Sequence, residues 1–172
     1  AAHSAFEGTY NDIPNKIGYP SDAYQVALKE IGTTDLGRVI FNALSVDEQL
    51  RRVSIFKSNG IDLGITSKHS WAEEVEGTER ESWQFWKPLP EYRTLHRYQI
   101  SINMNVKDPT FFSLNQRRFT PNLTRVLAHE LGHIAINEGY IRNMSAIDIE
   151  NAISRQLDPR ATVRHPTLGH SH

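Results

Sequence analysis

The chain has 172 residues, 38% hydrophobic and 23% charged, with a net charge of −1 and no cysteine. That is enough for one domain with its own core. The charge balance argues against nucleic acid and membrane as partners, no apolar run is long enough to span a bilayer, and without thiols there are no disulfides, thiol nucleophiles or thiolate metal sites.

Residues 1–20 carry Gly8, Asn11, Pro14, Asn15, Gly18 and Pro20 and read as an extended, turn-rich lead-in. Ala1 stands where Met would, as in a processed chain or a piece of a longer one. Ser21 caps a helix predicted over 22–31, with Ala23, Val26, Ala27 and Ile31 as its apolar face and Gly32 as its stop. Thr33, Thr34 and Asp35 restart a second helix carrying Leu36, Val39, Ile40 and Leu44 at helical spacing. These two helices read as a structural layer.

Residues 52–58 alternate, Asn59-Gly60 follows, and 61–66 are again rich in β formers, which predicts a hairpin. Residues 67–96 hold all three tryptophans (Trp71, Trp83 and Trp86), an acidic cluster from Glu73 to Glu81, and Pro88 and Pro90. Tryptophans in such a loop either line a substrate groove or, more commonly, anchor the loop to the core. Residues 98–105 alternate in period two and predict a strand with Ile100, Ile102 and Met104 on one face. Lying shortly before the next helix, this strand is the candidate sheet edge for pairing with an extended peptide.

That helix, predicted over 121–138, carries His129-Glu130-Leu131-Gly132-His133. Thr120 and Pro121 suit its start, Leu123, Leu127, Leu131 and Ile134 form its stripe, and Gly139 ends it. Residues four apart on a helix share a face, so His129 and His133 can point two imidazole nitrogens at one ion. Zinc accepts such nitrogens, and Glu130 lies next to the first of them, ready to take a proton from an attacking water. Gly132 lowers helix propensity and suggests close approach of another backbone.

A catalytic zinc site usually takes three protein ligands. A metzincin would need a histidine at 139, where this chain has glycine. Glu150 leads the remaining candidates, on a helix over 146–157 that Ser145 and Asp148 open at capping-box spacing. Asp148, Glu138 and His165 are the alternatives. Arg160, Arg164 and His165, in the irregular stretch 158–172, are candidates to stabilise a transition state. Asn151 can orient a ligand from behind. His170 and His172 read as a free end that can pick up stray metal.

HELGH with a downstream glutamate helix resembles the gluzincin type of zincin metallopeptidase. Ala146-Ile147-x-x-Glu150-Asn151 followed by Asp158-Pro159-Arg160, with the earlier Ala27-Leu28-x-x-Ile31-Gly32-Thr33-Thr34-x-x-Gly37, is similar to the NleD-like family of secreted bacterial effector and toxin metallopeptidases. That family often has a further glutamate where this chain has Asn143, which leaves the third ligand open. The resemblance implies an α+β, zincin-like single domain spanning 1–172. A small mixed or antiparallel sheet would pack on the metal helix and the carboxylate-bearing helix after it. It also implies a Zn2+-dependent endopeptidase, soluble and monomeric, secreted or delivered into a target cell to cut a host or competitor protein. Arg117-Arg118-Phe119-Thr120 ahead of the motif is similar to the ImmA/IrrE type of regulatory metallopeptidase, the second reading. A metal-binding interaction domain with little hydrolysis is the third, which an intact Glu130 disfavours.

Overall fold

The computed structural model describes residues 13–169. In chain order it contains β1 (Ile17–Gly18), α1 (Asp22–Gly32), α2 (Asp35–Val46), β2 (Leu50–Lys57), β3 (Gly64–Glu74), β4 (Tyr92–Ile102), α3 (Leu123–Asn137) and α4 (Ala146–Leu157). The fold is α+β: four helices and a four-stranded mixed sheet in the order β1-β2-β4-β3 among the described residues. None of these helices is long and apolar enough to cross a membrane. Residues 1–12 of the expected lead-in, His170 and His172 lie outside the described residues.

Both early helices form where expected, but their buried faces are turned by one residue. In α1, Tyr24, Ala27, Leu28 and Ile31 are buried, whereas Val26 is exposed. In α2, Ile40, Phe41 and Leu44 are buried and Val39 is exposed. Helical spacing allows either register, and the one chosen buries the larger side chains, each CH2 contributing about 0.8 kcal/mol. Thr34 caps α2 by accepting a hydrogen bond from the Gly37 amide, whereas the Ser21 side chain makes no such bond.

The predicted hairpin at Asn59-Gly60 does not form. β2 and β3 lie on opposite sides of β4, β2 parallel to it and β3 antiparallel. Gly60 lacks the positive φ that a two-residue hairpin turn needs. Segment 58–63 instead wraps the end of β4, the Ser58 amide donating to Ile102 O and the Asn103 amide to Leu63 O. The hairpin is β3–β4, paired from Gly64–Ile102 to Glu74–Tyr92 and joined by loop 75–91. So β4, the predicted edge strand, is internal, and β3 is the edge. Nor do the tryptophans anchor the loop: Trp83 and Trp86 are 63% and 62% exposed. Trp71, half-buried on β3, stacks on His69.

Helix α3 runs through the centre and touches α1, α2, α4, β3 and β4. It is therefore buried almost all round, Val126, Ala128 and Ala135 joining the expected Leu127, Leu131 and Ile134. Its cap is Asn122, whose side chain accepts from the Arg125 amide, rather than Thr120. Gly139, at φ 75°, closes it as expected. At Gly132 the expected close approach is present: a Cβ there would stand 3.4 Å from Ala146 Cα and Ile149 Cβ of α4. That contact brings Glu150, one residue on, behind the first histidine.

Candidate metal centre

His129 and His133 sit one turn apart on α3 with their Nε2 atoms 3.0 Å apart and their ring planes at 84°. Two nitrogens bound to one tetrahedral ion at 2.0–2.1 Å would be about 3.3 Å apart. The pair is thus spaced to share an ion with little movement. Ligand atoms of His129, Glu130 and His133 all lie within 4.8 Å of one another.

Glu130 is only 1% exposed. Strand β3 holds it in place: the Thr66 hydroxyl lies 3.3 Å from Glu130 Oε2, and Gly64 is so close that a Cβ would stand 3.0 Å from Glu130 Cγ and Cδ. Glu130 and His129 line a cavity of about 170 Å³ together with Gly64, Phe111, Val126 and Arg164. Residues 106–110 and 61–64, leading into β3, complete its lining.

Glu150 does not stand beside the two Nε2 atoms. Its Oε1 meets His129 Nδ1 at 2.9 Å, on the opposite edge of the ring from His133. An ionised carboxylate only accepts, so His129 carries its proton on Nδ1 and turns the Nε2 lone pair outward. The expectation of Glu150 as the third ligand does not fit this geometry: Glu150 meets His129 from behind and fixes the orientation of its ring. The physical reason is the Gly132 contact, which sets α4 against the back of α3.

Glu150 is fully buried, and such a charge needs partners. Arg125 Nη1 donates to its Oε2 at 3.0 Å and Arg164 Nη1 to its Oε1 at 2.8 Å. Burial works to raise its pKa, but the His129 bond and the Arg164 charge outweigh it and hold the carboxyl below its ordinary value. Asn151 fixes Arg164 by a backbone pair, Nδ2 donating to Arg164 O at 3.0 Å and Oδ1 accepting from Arg164 N at 2.7 Å. Asn151 is thus bonded to Arg164 and Arg125 rather than to a candidate ligand.

Of the three expected transition-state groups, Arg164 alone lines the cavity, its guanidinium 3.5 Å from the centre of the Phe111 ring. Arg160 is exposed, its amide bonded to Asp158 Oδ1. His165 Nδ1 accepts the Thr167 and Leu168 amides and forms a turn. Asp148 is engaged in the capping box of α4, and Glu138 caps the far end of α3. Among the described residues, no third His, Asp or Glu beyond Glu130 joins the histidine pair.

Three positions that matter here went unread in the sequence: Arg125, Gly64 and Thr66. Arg125 had a signal, a cation one turn before His129 on an apolar helix. Gly64 and Thr66 had none, since their importance comes from contact with a residue 64–66 positions away.

Glu138 belongs to a second cluster with Asp47 and His96, their polar atoms within 4.8 Å of one another. His96 Nε2 contacts Glu138 Oε1, while Tyr98 and Lys68 donate to Glu138 Oε2 at 2.6 and 3.0 Å. Tyr140 donates to Asp47 Oδ2 at 2.5 Å. These bonds tie the end of α2, β4 and the end of α3 together. Burial pushes both carboxyls up, but the tyrosine hydrogen bonds and the other donors outweigh it and leave both below their ordinary values of 4.5 and 3.8. A depressed folded-state pKa gives stability that is present above the unfolded pKa and lost as pH falls through the folded one. Denaturant midpoints should therefore fall as pH drops below about 4.5. Glu138→Gln should be less stable than the parent at pH 7, with the gap narrowing at pH 3.

No family model, curated protein or solved structure matches the chain.

Proposed function

We propose that the chain is a zinc-dependent endopeptidase that hydrolyses peptide bonds of a protein substrate, within a zincin-like fold. The observation that carries the reading is the convergence of two imidazole Nε2 atoms 3.0 Å apart with a buried carboxylate, His129 and Glu130 of this group lining a cavity. His129 and His133 would hold the ion, and Glu150 keeps the His129 lone pair turned towards it. When bound, zinc supplies Lewis acidity towards a carbonyl and lowers the pKa of water. Glu130 accepts the proton of the attacking water and hands it to the leaving amine. Thr66 and Gly64 restrict the positions open to the Glu130 carboxylate. Arg164 brings positive charge to the cavity wall, suited to the developing oxyanion. The outer edge of β3, without a strand partner among the described residues and starting at Gly64 beside Glu130, offers main-chain groups to an extended substrate. The motif similarity to NleD-like metallopeptidases extends the proposal to a secreted or delivered effector acting on a protein of another cell.

Chelation tests it. Protein stripped of metal should lose cleavage of an unfolded protein mixture and regain it on addition of one equivalent of Zn2+. Cleavage that persists in metal-free protein, verified by metal analysis, would sink the reading. A finer prediction concerns Gly64. Gly64→Ala forces Glu130 to shift by a few tenths of an ångström and should lower kcat by about 10-fold with metal content unchanged, since small misplacements of reacting groups are costly. Equal kcat in single-turnover assays would show that Gly64 does not position Glu130.

A further inference from the structure

The β3–β4 hairpin ends in an arm that the fold does not explain. Loop 75–91 is ordered by its own bonds: the Val75 amide to Glu91 O, the Glu91 amide to Thr78 Oγ1, and Arg80 Nη1 to Lys87 O. Those bonds hold aromatic side chains outward. Trp83, Phe85, Trp86, Leu89 and Tyr92 are 63%, 80%, 62%, 74% and 65% exposed. Trp86 packs edge-on against both Trp83 and Phe85, each pair 5.6 Å between centroids. Scattered exposed apolar residues are ordinary, but a clustered, ordered aromatic surface marks an interaction site. Tryptophan and tyrosine are the residues that most often dominate binding energy.

The surroundings select the partner. Residues 73–93 hold six glutamates against Arg80, Lys87 and Arg93, a net charge of −3 where the whole chain carries −1. Such a surface repels anionic lipid and a second copy of itself, and attracts a cationic segment. The arm is also continuous with the candidate centre. β3 runs eleven residues from Gly64, against Glu130, to Glu74 at the base of the loop, and its outer edge has no strand partner among the described residues. At about 3.3 Å per residue that edge is roughly 35 Å long.

We propose that the arm is a docking site for the protein substrate, taking an extended segment rich in Lys or Arg and in apolar residues, about ten residues from the bond to be cut. The segment pairs with the outer edge of β3, lays its apolar side chains on Trp83, Phe85 and Trp86, and sets its cations against the glutamates. This rests on the endopeptidase reading for the identity of the ligand, but the binding is measurable without hydrolysis.

The test uses the full chain carrying Glu130→Gln and a displayed library of random 16-residue peptides. Selection should enrich basic, aromatic- or aliphatic-rich sequences. Fluorescence anisotropy should then show at least 10-fold weaker binding to Trp83→Ala/Phe85→Ala/Trp86→Ala. Glu79→Lys/Glu81→Lys, which keeps the aromatic rings, should weaken binding of the same peptides and shift selection towards acidic ones. All these residues are exposed, and an unchanged denaturation midpoint checks that the variants fold. Acidic selected peptides, an equal affinity for the triple variant, or no arm-dependent enrichment overturns the proposal. So does arm-dependent dimerisation in sedimentation, or binding to phosphatidylserine vesicles in place of peptides. Peptides that bind through the arm but are left intact by the parent chain sink the endopeptidase reading while the docking site stands. Peptides cleaved equally by the parent and the triple variant do the reverse.

Discussion

Glu130→Gln is expected to lower kcat/KM by about 10²–10⁴-fold, the usual contribution of a positioned general base. Gln has the same shape as Glu and keeps an oxygen towards the Thr66 hydroxyl, now 3.3 Å from Glu130 Oε2. What it lacks is a site that can take a proton from water and release it to an amine. Folding should be intact and zinc content should equal that of the parent, because the two imidazoles and the Glu150 bond behind them are untouched. The pair of measurements matters more than either alone. Lost cleavage with retained metal isolates Glu130 as the proton carrier. Cleavage at the parent rate would remove it from the mechanism, and lost metal would recast it as a ligand.

Glu150→Ala should have the largest effect on stability. Removing this carboxylate leaves the guanidinium groups of Arg125 and Arg164, both buried, without their counter-charge. Breaking such a group by deleting one partner costs about 3–5 kcal/mol. Zinc affinity should also fall by about 10–100-fold, the effect of losing a partner that orients a ligating histidine. Glu150→Gln, which keeps an acceptor for His129 Nδ1, should recover part of both losses. Zinc titration separates this role from direct ligation. A carboxylate that only orients His129 leaves full occupancy attainable at higher zinc, whereas a stoichiometry that never recovers would return Glu150 to the ligand set.

The histidine pair and its glutamate could be read without the fold because their arrangement is local. A helix places residues four apart on one face whatever surrounds it, and the caps and stops of α3 and α4 lie within a few residues of the turns they close. The capping box of Ser145 and Asp148 and the stop at Gly139 are of this kind. The sheet was less legible. Alternation located β2 and parts of β3 and β4, whose remainders fell in the expected loop 67–96, and period-two patterning carries no information about which strands are neighbours. Asn59-Gly60 marked the break after β2 but not a hairpin turn, because the chain bends past the end of β4 there before pairing. The tryptophans were misplaced for a related reason: composition alone does not distinguish a loop that packs on the core from one that carries its aromatics outward.

By itself, then, the sequence determined a helix that presents two imidazoles and a carboxylate together, since that follows from backbone geometry over five residues. Only the tertiary structure decided what each of these groups faces. Gly132 lets α4 approach α3, so Glu150 meets the back of His129 rather than the front. The order β1-β2-β4-β3 puts β3 at the edge, with Gly64 against Glu130 at one end and the aromatic arm at the other. Those outcomes depend on contacts between residues tens of positions apart, where packing and strand pairing choose among arrangements that local patterning leaves equivalent.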